Sequence, residues 1–301
     1  MHPFFYFFNM RIPAFGTMIT LAGLVSFCLL MLIAKRRKFP ADDTLNYFLM
    51  CLLGGLGGAI LLHAILAAPN LIIDWQEQIA PLPLMEKAAE ILAHLGGMIF
   101  YGGFIGAALA VLLYSKLAKV PLLQYLDIIA PVAPVAHAIG RVGCLLGGCC
   151  YGIEVAHDHP LAIVYPPASL AAPPGIPLLA VPLIESFCNL LIAGVLFIFS
   201  RNVSGSEKKR IPGRVVALYA LLYAPVRFVL EFFRGDEIRG VYGGVSTSQI
   251  ISIVIFAAGA ALFLFAPKLE TAASESWEEY ERKQKRLIAL RKRWDETHGK
   301  T

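Results

Sequence analysis

Seven long apolar stretches limit what this chain can fold into more than any other feature of its sequence. Each is about 20 residues long, the length that an α-helix needs to cross the hydrocarbon core of a bilayer. Hydrophobic residues make up 57% of the chain and charged residues only 16%, so a water-soluble domain is not expected. The pattern predicts an all-α integral membrane domain over residues 1–267 and a charged tail over 268–301. The seven predicted transmembrane helices lie at 14–34, 46–67, 92–114, 121–147, 176–200, 213–233 and 246–266.

Lysine and arginine are distributed unevenly among the segments that connect these helices. Twenty of the 26 lie after the first, third, fifth and seventh helices, four lie on the opposite side, and two lie inside predicted helices. Because basic loops remain in the cytoplasm, the bias predicts an outside N-terminus and a cytoplasmic C-terminus. Charges spread over loops in this way do not form the basic face that nucleic-acid binding requires, so no nucleic-acid partner is expected.

The two ends of the chain have their own signals. Residues 1–10 contain no lysine or arginine and no small-residue cleavage site follows the first helix, so that helix is predicted to be a permanent span and not a signal peptide. The tail at 268–301 mixes acidic and basic residues around a sparse apolar set. This composition is compatible with an amphipathic cytoplasmic helix near acidic headgroups, or with a frayed end.

Ionisable side chains inside predicted helices point to a functional site, because each costs about 3 kcal/mol or more at membrane depth. Counting from the predicted inner ends places Arg141 and Arg227 in the outer half of the bilayer. Tyr101 and Glu185 lie at a similar depth. The polar residues therefore converge on the outer leaflet, where we expect the active site.

The sixth predicted helix carries a polar face. Tyr223, Arg227 and Glu231 follow each other at intervals of four residues, and Arg234 lies at the outer boundary. One interpretation is an Arg227–Glu231 ion pair with a purely structural role. The other is a binding site for a lipid phosphate, since the guanidinium group binds phosphate oxygens bidentately.

The end of the fourth predicted helix is rich in cysteine and glycine. His137 and Arg141 share a face there, and Cys144, Cys149 and Cys150 follow. Their spacing matches no standard zinc pattern, so no metal is predicted. The three cysteines are compatible with a disulfide that involves one of them, or with three packed thiols.

Several segments resemble the prolipoprotein diacylglyceryl transferase family, and the likeness extends to about residue 266. The N-terminal MHPFF and FGTMITLAG at 15–23 are similar to the start of the family's first helix. The other matching segments are FYGGFIGA at 100–107, DIIAPVAPVAHAIGRVG at 127–143, PLIES at 182–186 and YAPVRFVLEFFR at 223–234.

The resemblance implies an enzyme that transfers the diacylglyceryl group of phosphatidylglycerol to the lipobox cysteine of a prolipoprotein signal peptide, with release of glycerol 1-phosphate. It implies no cofactor, and a substrate that arrives through the lipid bilayer. Arg141 and Arg227 would bind the phosphate, Glu231 would orient Arg227, and Gly152 would keep a turn open. The resemblance and the polar pattern together give the catalytic candidates Tyr101, His137, Arg141, Arg227 and Glu231, and the substrate-binding candidates Arg141, Gly143, Cys144, Gly152, Glu185, Tyr223, Arg227 and Arg234.

The sequence departs from the family's motifs at this same site. Tyr101 replaces the family's histidine, and a phenol with a pKa of about 10 is a poor base at neutral pH. His137 is then either a substitute base or a buried histidine bonded to the backbone. Two alternatives to the family activity follow: a transferase with the same lipid donor and another acceptor, and a non-catalytic lipid-binding or redox-responsive protein. The remaining departures are Phe15 for a tyrosine, Cys144 and Gly147 for asparagines, and Cys149 for a glutamate.

Overall fold

The computed structural model describes most of the chain and divides it into two compact units. The first unit comprises residues 1–37 and 123–273, and the second comprises 38–122 and 274–301. Each unit is described by itself. The described residues are 3–7, 10–75, 80–81, 83, 85–87, 90–91, 97, 99–205, 211–236, 241–242 and 245–298.

The described residues are mostly helical and include six helices that are long and apolar enough to cross a membrane. A bent helix pair makes a seventh span if its two halves cross together. The prediction of a mostly helical membrane protein is therefore confirmed, whereas the number seven and the orientation of the termini stay predictions. The helices are α1 (Ala14–Arg36), α2 (Ala41–Asp74), α3 (Phe100–Ala118), α4 (Leu122–Ile129), α5 (Ala133–Gly147), α6 (Val181–Gly205), α7 (Arg214–Leu230) and α8 (Thr247–His298).

The predicted helix boundaries need three corrections. The span predicted at 121–147 is broken between α4 and α5, which meet at 45°, because Pro131 interrupts the helical hydrogen bonds. The helix predicted from residue 176 begins only at Val181. The helix predicted over 92–114 is observed from Phe100 to Ala118, and residues 92–96 lie outside the described part.

Short strands accompany the helices of this mainly helical fold. Three antiparallel two-stranded hairpins occur among the described residues. One of them explains the late start of α6, because residues predicted to be helical pair instead with a strand across the loop. The hairpins join β1 (Phe4–Phe7) to β2 (Met10–Pro13), β3 (Ala162–Val164) to β4 (Pro177–Leu179), and β5 (Val241–Tyr242) to β6 (Val245–Ser246).

The first unit brings α1, α5, α6 and α7 together. Helix α5 packs closely on α1, since a β-carbon at Gly143 would lie 2.9 Å from the Met18 β-carbon. Helices α6 and α7 share an apolar core that includes Leu196 and Val215. The Asp127 carboxylate accepts hydrogen bonds from the backbone of Gly213 and of two residues in the first turn of α7, at 2.8 to 3.0 Å, and so caps α7.

In the second unit α2 crosses α3 along a seam of glycines. A side chain at Gly54 or Gly58 would collide with the backbone of α3, and one at Gly102 or Gly106 would collide with the backbone of α2. The glycines of the second and third spans therefore allow close helix packing. Asp43, in the first turn of α2, accepts hydrogen bonds from side chains of α3 and of the C-terminal part of α8.

Candidate active site

The first unit contains a buried polar cluster where α5 meets α6. Arg141 and His137 lie one turn apart on α5, and Glu185 follows the start of α6. The Arg141 Nη2 atom is 3.0 Å from Glu185 Oε1, and Arg141 Nε donates a hydrogen bond of 3.2 Å to His137 Nε2. Glu185 is only 1% exposed. A carboxylate this deeply buried requires a positive partner, and α5 supplies it.

A second buried cluster lies at the end of α7. The Arg227 Nη2 atom is 2.7 Å from Glu231 Oε2 and donates a hydrogen bond of 2.8 Å to the Ser248 hydroxyl in the first turn of α8. The Arg227 Nη1 atom is buried and has no hydrogen-bond partner among the described residues. The predicted ion pair is thus present, and Arg227 still has a donor nitrogen to offer a ligand.

The two clusters lie close to each other. The ring centroids of His137 on α5 and Tyr223 on α7 are 5.3 Å apart. Arg141 is hydrogen-bonded to His137, and the positive charge of Arg227 also acts on the same imidazole. These four side chains, which the sequence singled out on separate helices, therefore lie in one region of the first unit.

Arg234 is held at the edge of this region. It follows a 3-10 turn at Glu231–Phe233, is 7% exposed, and forms a bidentate pair with Asp236, in which its Nε lies 2.9 Å from Asp236 Oδ1. Burial alone lowers the pKa of Arg234, but the Asp236 carboxylate outweighs burial and raises the pKa above its ordinary value. Arg234 therefore remains charged, with its guanidinium fork occupied.

Backbone pairing ties the residue before Arg234 and the residue after it to the loop that follows α5. The Ile153 amide donates to the Phe233 carbonyl at 2.9 Å, and the Gly235 amide donates to the Tyr151 carbonyl at 3.0 Å. Gly152 lies in the middle of this pairing, where a β-carbon would lie 2.6 Å from the Leu179 carbonyl oxygen. Only glycine fits there, so close packing of the backbone explains why residue 152 is a glycine.

The cysteines of the α5 terminus converge next to Arg141. The sulfur atoms of Cys144, Cys149 and Cys150 all lie within 4.8 Å of one another, and all three cysteines are free. Hydrogen bonds from the other two thiols lower the pKa of the Cys150 thiol. Burial and, to a smaller extent, the three cysteines raise the pKa of nearby Tyr165 to about 12.

Two other predicted site residues, Gly143 and Tyr101, belong to neither of the two arginine clusters. Gly143 packs against α1. A β-carbon at this position would lie 2.9 Å from the Met18 β-carbon and 3.4 Å from Phe15. Tyr101 belongs to the second unit, where it lies in the first turn of α3 and is partly buried.

Sequence reasoning missed two partners, Asp236 and Ser248. A signal was available for Asp236, because an acidic residue two positions after a boundary arginine is a simple local partner. Ser248 lies 21 residues from Arg227 and on another helix, so no local pattern indicates the contact.

Comparison with known proteins gives a consistent result. A family model described as prolipoprotein diacylglyceryl transferase matches residues 3–265. The phosphatidylglycerol–prolipoprotein diacylglyceryl transferase of Clostridium tetani is 33% identical over 262 residues, which cover 87% of this chain and 95% of that protein. Transferase 2 of Clostridium perfringens is 32% identical over 260 residues, which cover 85% of this chain and 91% of that protein.

Proposed function

Because the chain belongs to the prolipoprotein diacylglyceryl transferase family, we propose that it transfers the diacylglyceryl group of phosphatidylglycerol to a prolipoprotein. The acceptor is the thiol of the lipobox cysteine in the signal peptide. In this reaction a carbon–sulfur bond forms, the carbon–oxygen bond to the phosphate breaks, and glycerol 1-phosphate leaves. The thiol proton passes to a base.

The observation that carries the proposal is a pair of largely buried arginines, Arg141 and Arg227, whose charges both act on His137. Arg141 and Arg227 come from different helices, and each is balanced by a buried carboxylate. A structural ion pair explains each arginine alone. The ion pairs leave the Arg227 Nη1 atom buried without a hydrogen-bond partner among the described residues. An oxygen of an anionic phosphodiester would accept the hydrogen bond that this atom can donate.

The two arginines have a direct role in the chemistry. Negative charge grows on the phosphate oxygen as the carbon–oxygen bond breaks, and positioned guanidinium groups stabilise that charge. The buried Nη1 of Arg227 retains a donor for an incoming oxygen. Glu231 and Ser248 hold the same guanidinium through Nη2. Arg234 is already paired with Asp236. We therefore assign it a structural role, in the segment whose backbone pairs with the loop after α5.

His137 is the candidate base, and its hydrogen bond to Arg141 controls when it can act. A neutral imidazole that accepts from Arg141 at Nε2 carries its proton on Nδ1, and so has no lone pair left for a thiol proton. Movement of Arg141 onto the lipid phosphate releases Nε2. Phosphate binding would thereby prepare the base, which couples donor binding to acceptor activation.

The proposed setting is the bacterial inner membrane, with the active site toward the outer leaflet. The basic loops support this orientation, since twenty of the 26 lysines and arginines lie on the predicted cytoplasmic side. The lipid donor would reach the arginines sideways from the bilayer, and the signal peptide would present its cysteine from the same leaflet.

The proposal is tested by complementation of a bacterium depleted of its own transferase, with lipid-modified prolipoprotein detected by its shift in gel mobility. We expect the protein to restore modification, and Arg141→Ala and Arg227→Ala each to lower it at least about 100-fold, as expected for the loss of a charged transition-state contact. Arg201→Ala is the matched control, because Arg201 is exposed on α6 and should be dispensable. Correctly inserted protein that modifies no prolipoprotein would contradict the proposal.

The role of His137 is tested separately with His137→Gln. The glutamine amide oxygen can accept the hydrogen bond from Arg141 but cannot take up a proton. We expect His137→Gln to bind phosphatidylglycerol with unchanged KM and to lose kcat. Full turnover in this variant would remove the base role and leave His137 as a partner of Arg141.

A further inference from the structure

We propose that Cys144, Cys149 and Cys150 form a three-thiolate binding site for a soft metal ion of the Zn²⁺ or Cu⁺ type. This site lies next to the proposed active site but does not depend on the transferase activity. Thiolate sulfur is the ligand that these ions prefer in proteins.

The three sulfur atoms already lie at nearly the required separation. Two sulfur ligands at about 2.3 Å from a tetrahedral zinc ion are about 3.8 Å apart. Here each sulfur lies within 4.8 Å of the other two. Rotations of the side chains, without movement of the backbone, can account for the remaining difference. The spacing in the sequence matches no standard zinc motif, because the convergence comes from an unusual turn.

That turn forms where α5 ends. Gly148 adopts a left-handed conformation with φ 71°, and the amides of Gly148 and Cys149 both donate to the Cys144 carbonyl, at 3.0 and 3.1 Å. Cys150 is also left-handed, with φ 58°. A residue other than glycine pays about 1 kcal/mol or more for this conformation. The strained backbone brings the last two thiols back beside Cys144, and such strain is typical of binding sites.

Two arginines lie close enough to the cluster to balance the charge of a metal–thiolate complex. The charges of Arg141 and Arg234 both act on Cys150. Three thiolates with Zn²⁺ carry one net negative charge, which these arginines can balance. Cys144 is buried while Cys149 and Cys150 are partly exposed, so an ion can reach the site from solvent. Binding replaces sulfur–hydrogen bonds by sulfur–metal bonds and releases the protons, and no oxidant is needed.

Tyr165 provides an independent observation. It is 2% exposed, and its hydroxyl has no hydrogen-bond partner among the described residues. Its ring packs against Gly148, since a β-carbon at Gly148 would lie 3.1 Å from the Tyr165 Cδ1 atom. The hydroxyl also interacts electrostatically with all three cysteines. A buried hydroxyl without a partner is costly. A metal-bound thiolate would accept its hydrogen bond, which would also orient that ligand.

The test is a titration of the full-length protein, purified in detergent and reduced, with Cd²⁺ as the spectroscopic probe. We expect a thiolate-to-cadmium charge-transfer band that saturates at one ion per chain, and displacement of Cd²⁺ by Zn²⁺ or Cu⁺. Cys149→Ser and Cys150→Ser should each abolish the band. Tyr165→Phe should keep the stoichiometry and weaken binding about 10-fold, as expected for loss of a hydrogen bond to a ligand.

The chain supplies its own control in the other three cysteines. Cys28, Cys51 and Cys188 lie in α1, α2 and α6, and their combined replacement by serine should leave the band unchanged. If the cluster variants do not fold, wild-type protein still gives an answer, because bound Cd²⁺ should protect Cys149 and Cys150 from alkylation as mapped by mass spectrometry. Reduced wild-type protein that binds no Cd²⁺ would overturn the proposal. So would a band that persists in the Cys149→Ser, Cys150→Ser double variant.

Discussion

At the scale of single residues, Glu231 has a role that a conservative substitution can isolate. It is 5% exposed and pairs with Arg227 at 2.7 Å. Glu231→Gln keeps the shape of the side chain and removes its charge, which leaves the Arg227 cation without a counter-charge. We expect the free energy of unfolding to fall by about 3 kcal/mol, and the KM for phosphatidylglycerol to rise because Arg227 is no longer held in place. Thermal unfolding in detergent and initial-rate kinetics measure the two effects.

Glu154→Gln is the matched control for this prediction. Glu154 is exposed in the loop after α5, so its charge is solvated and the substitution should change stability by no more than about 0.5 kcal/mol. Equal stability of the two variants would show that the Arg227–Glu231 pair is not energetically important.

The two arginine pairs show how far a sequence can predict contacts between residues. Arg227 and Glu231 are four positions apart on one helix, so helical periodicity alone predicts that they meet. Arg141 and Glu185 belong to different helices and meet only because α5 packs against α6. The sequence identified both as buried and polar but could not pair them, since no periodicity connects side chains across a helix interface.

At the scale of helices, the crossing of α2 and α3 depends on single glycines, and Gly57 and Gly58 provide a matched pair. A β-carbon at Gly58 would collide with the backbone of α3, whereas one at Gly57 meets nothing within 4 Å. We expect Gly58→Ala to lower the free energy of unfolding by about 1–3 kcal/mol, because the helices must separate. Gly57→Ala should be neutral or slightly stabilising. Thermal unfolding in detergent compares the two, and equal behaviour would contradict a close crossing.

Helix boundaries were less predictable than the existence of helices. Apolar runs of about 20 residues identify spans because the bilayer requires that length. The break between α4 and α5 had a local signal in Pro131, which hydropathy ignores. The late start of α6 had a similar signal, since Pro177 and Pro182 both lie in the run that hydropathy assigned to a helix. The pairing of Pro177–Leu179 with Ala162–Val164 had none, because no local pattern connects the two strands.

At the scale of the whole molecule, α8 contributes to both compact units, and Asp43 holds its C-terminal part in the second. The Asp43 carboxylate accepts hydrogen bonds from Tyr114 at 2.7 Å, Tyr280 at 2.5 Å and Gln284 at 2.9 Å. Asp43→Ala removes all three hydrogen bonds. We expect local opening of α8 beyond residue 274 to increase about 100-fold, at roughly 3 kcal/mol for bonds to a charged group.

Limited trypsin digestion measures this opening, because trypsin cleaves after Arg282 and Lys283 only when the helix around them unfolds locally. Asp42→Ala is the control, since Asp42 is the exposed neighbour in the same helical turn. Equal cleavage rates in the two variants would mean that Asp43 does not retain the tail.

The bent pair α4 and α5 determines the topology of the whole chain, and the two termini report it. If both halves cross the membrane as one span, the chain has up to seven crossings and its termini lie on opposite sides. If the pair enters and leaves on the same side, six crossings put both termini on one side. The distribution of basic residues predicts the first arrangement, with the N-terminus outside.

Fusions of alkaline phosphatase and of a fluorescent protein to each terminus should show phosphatase activity only at the N-terminus and fluorescence only at the C-terminus. A cytoplasmic signal at both ends would mean that α4 and α5 form a re-entrant pair, which enters the membrane from the outer surface and returns to it.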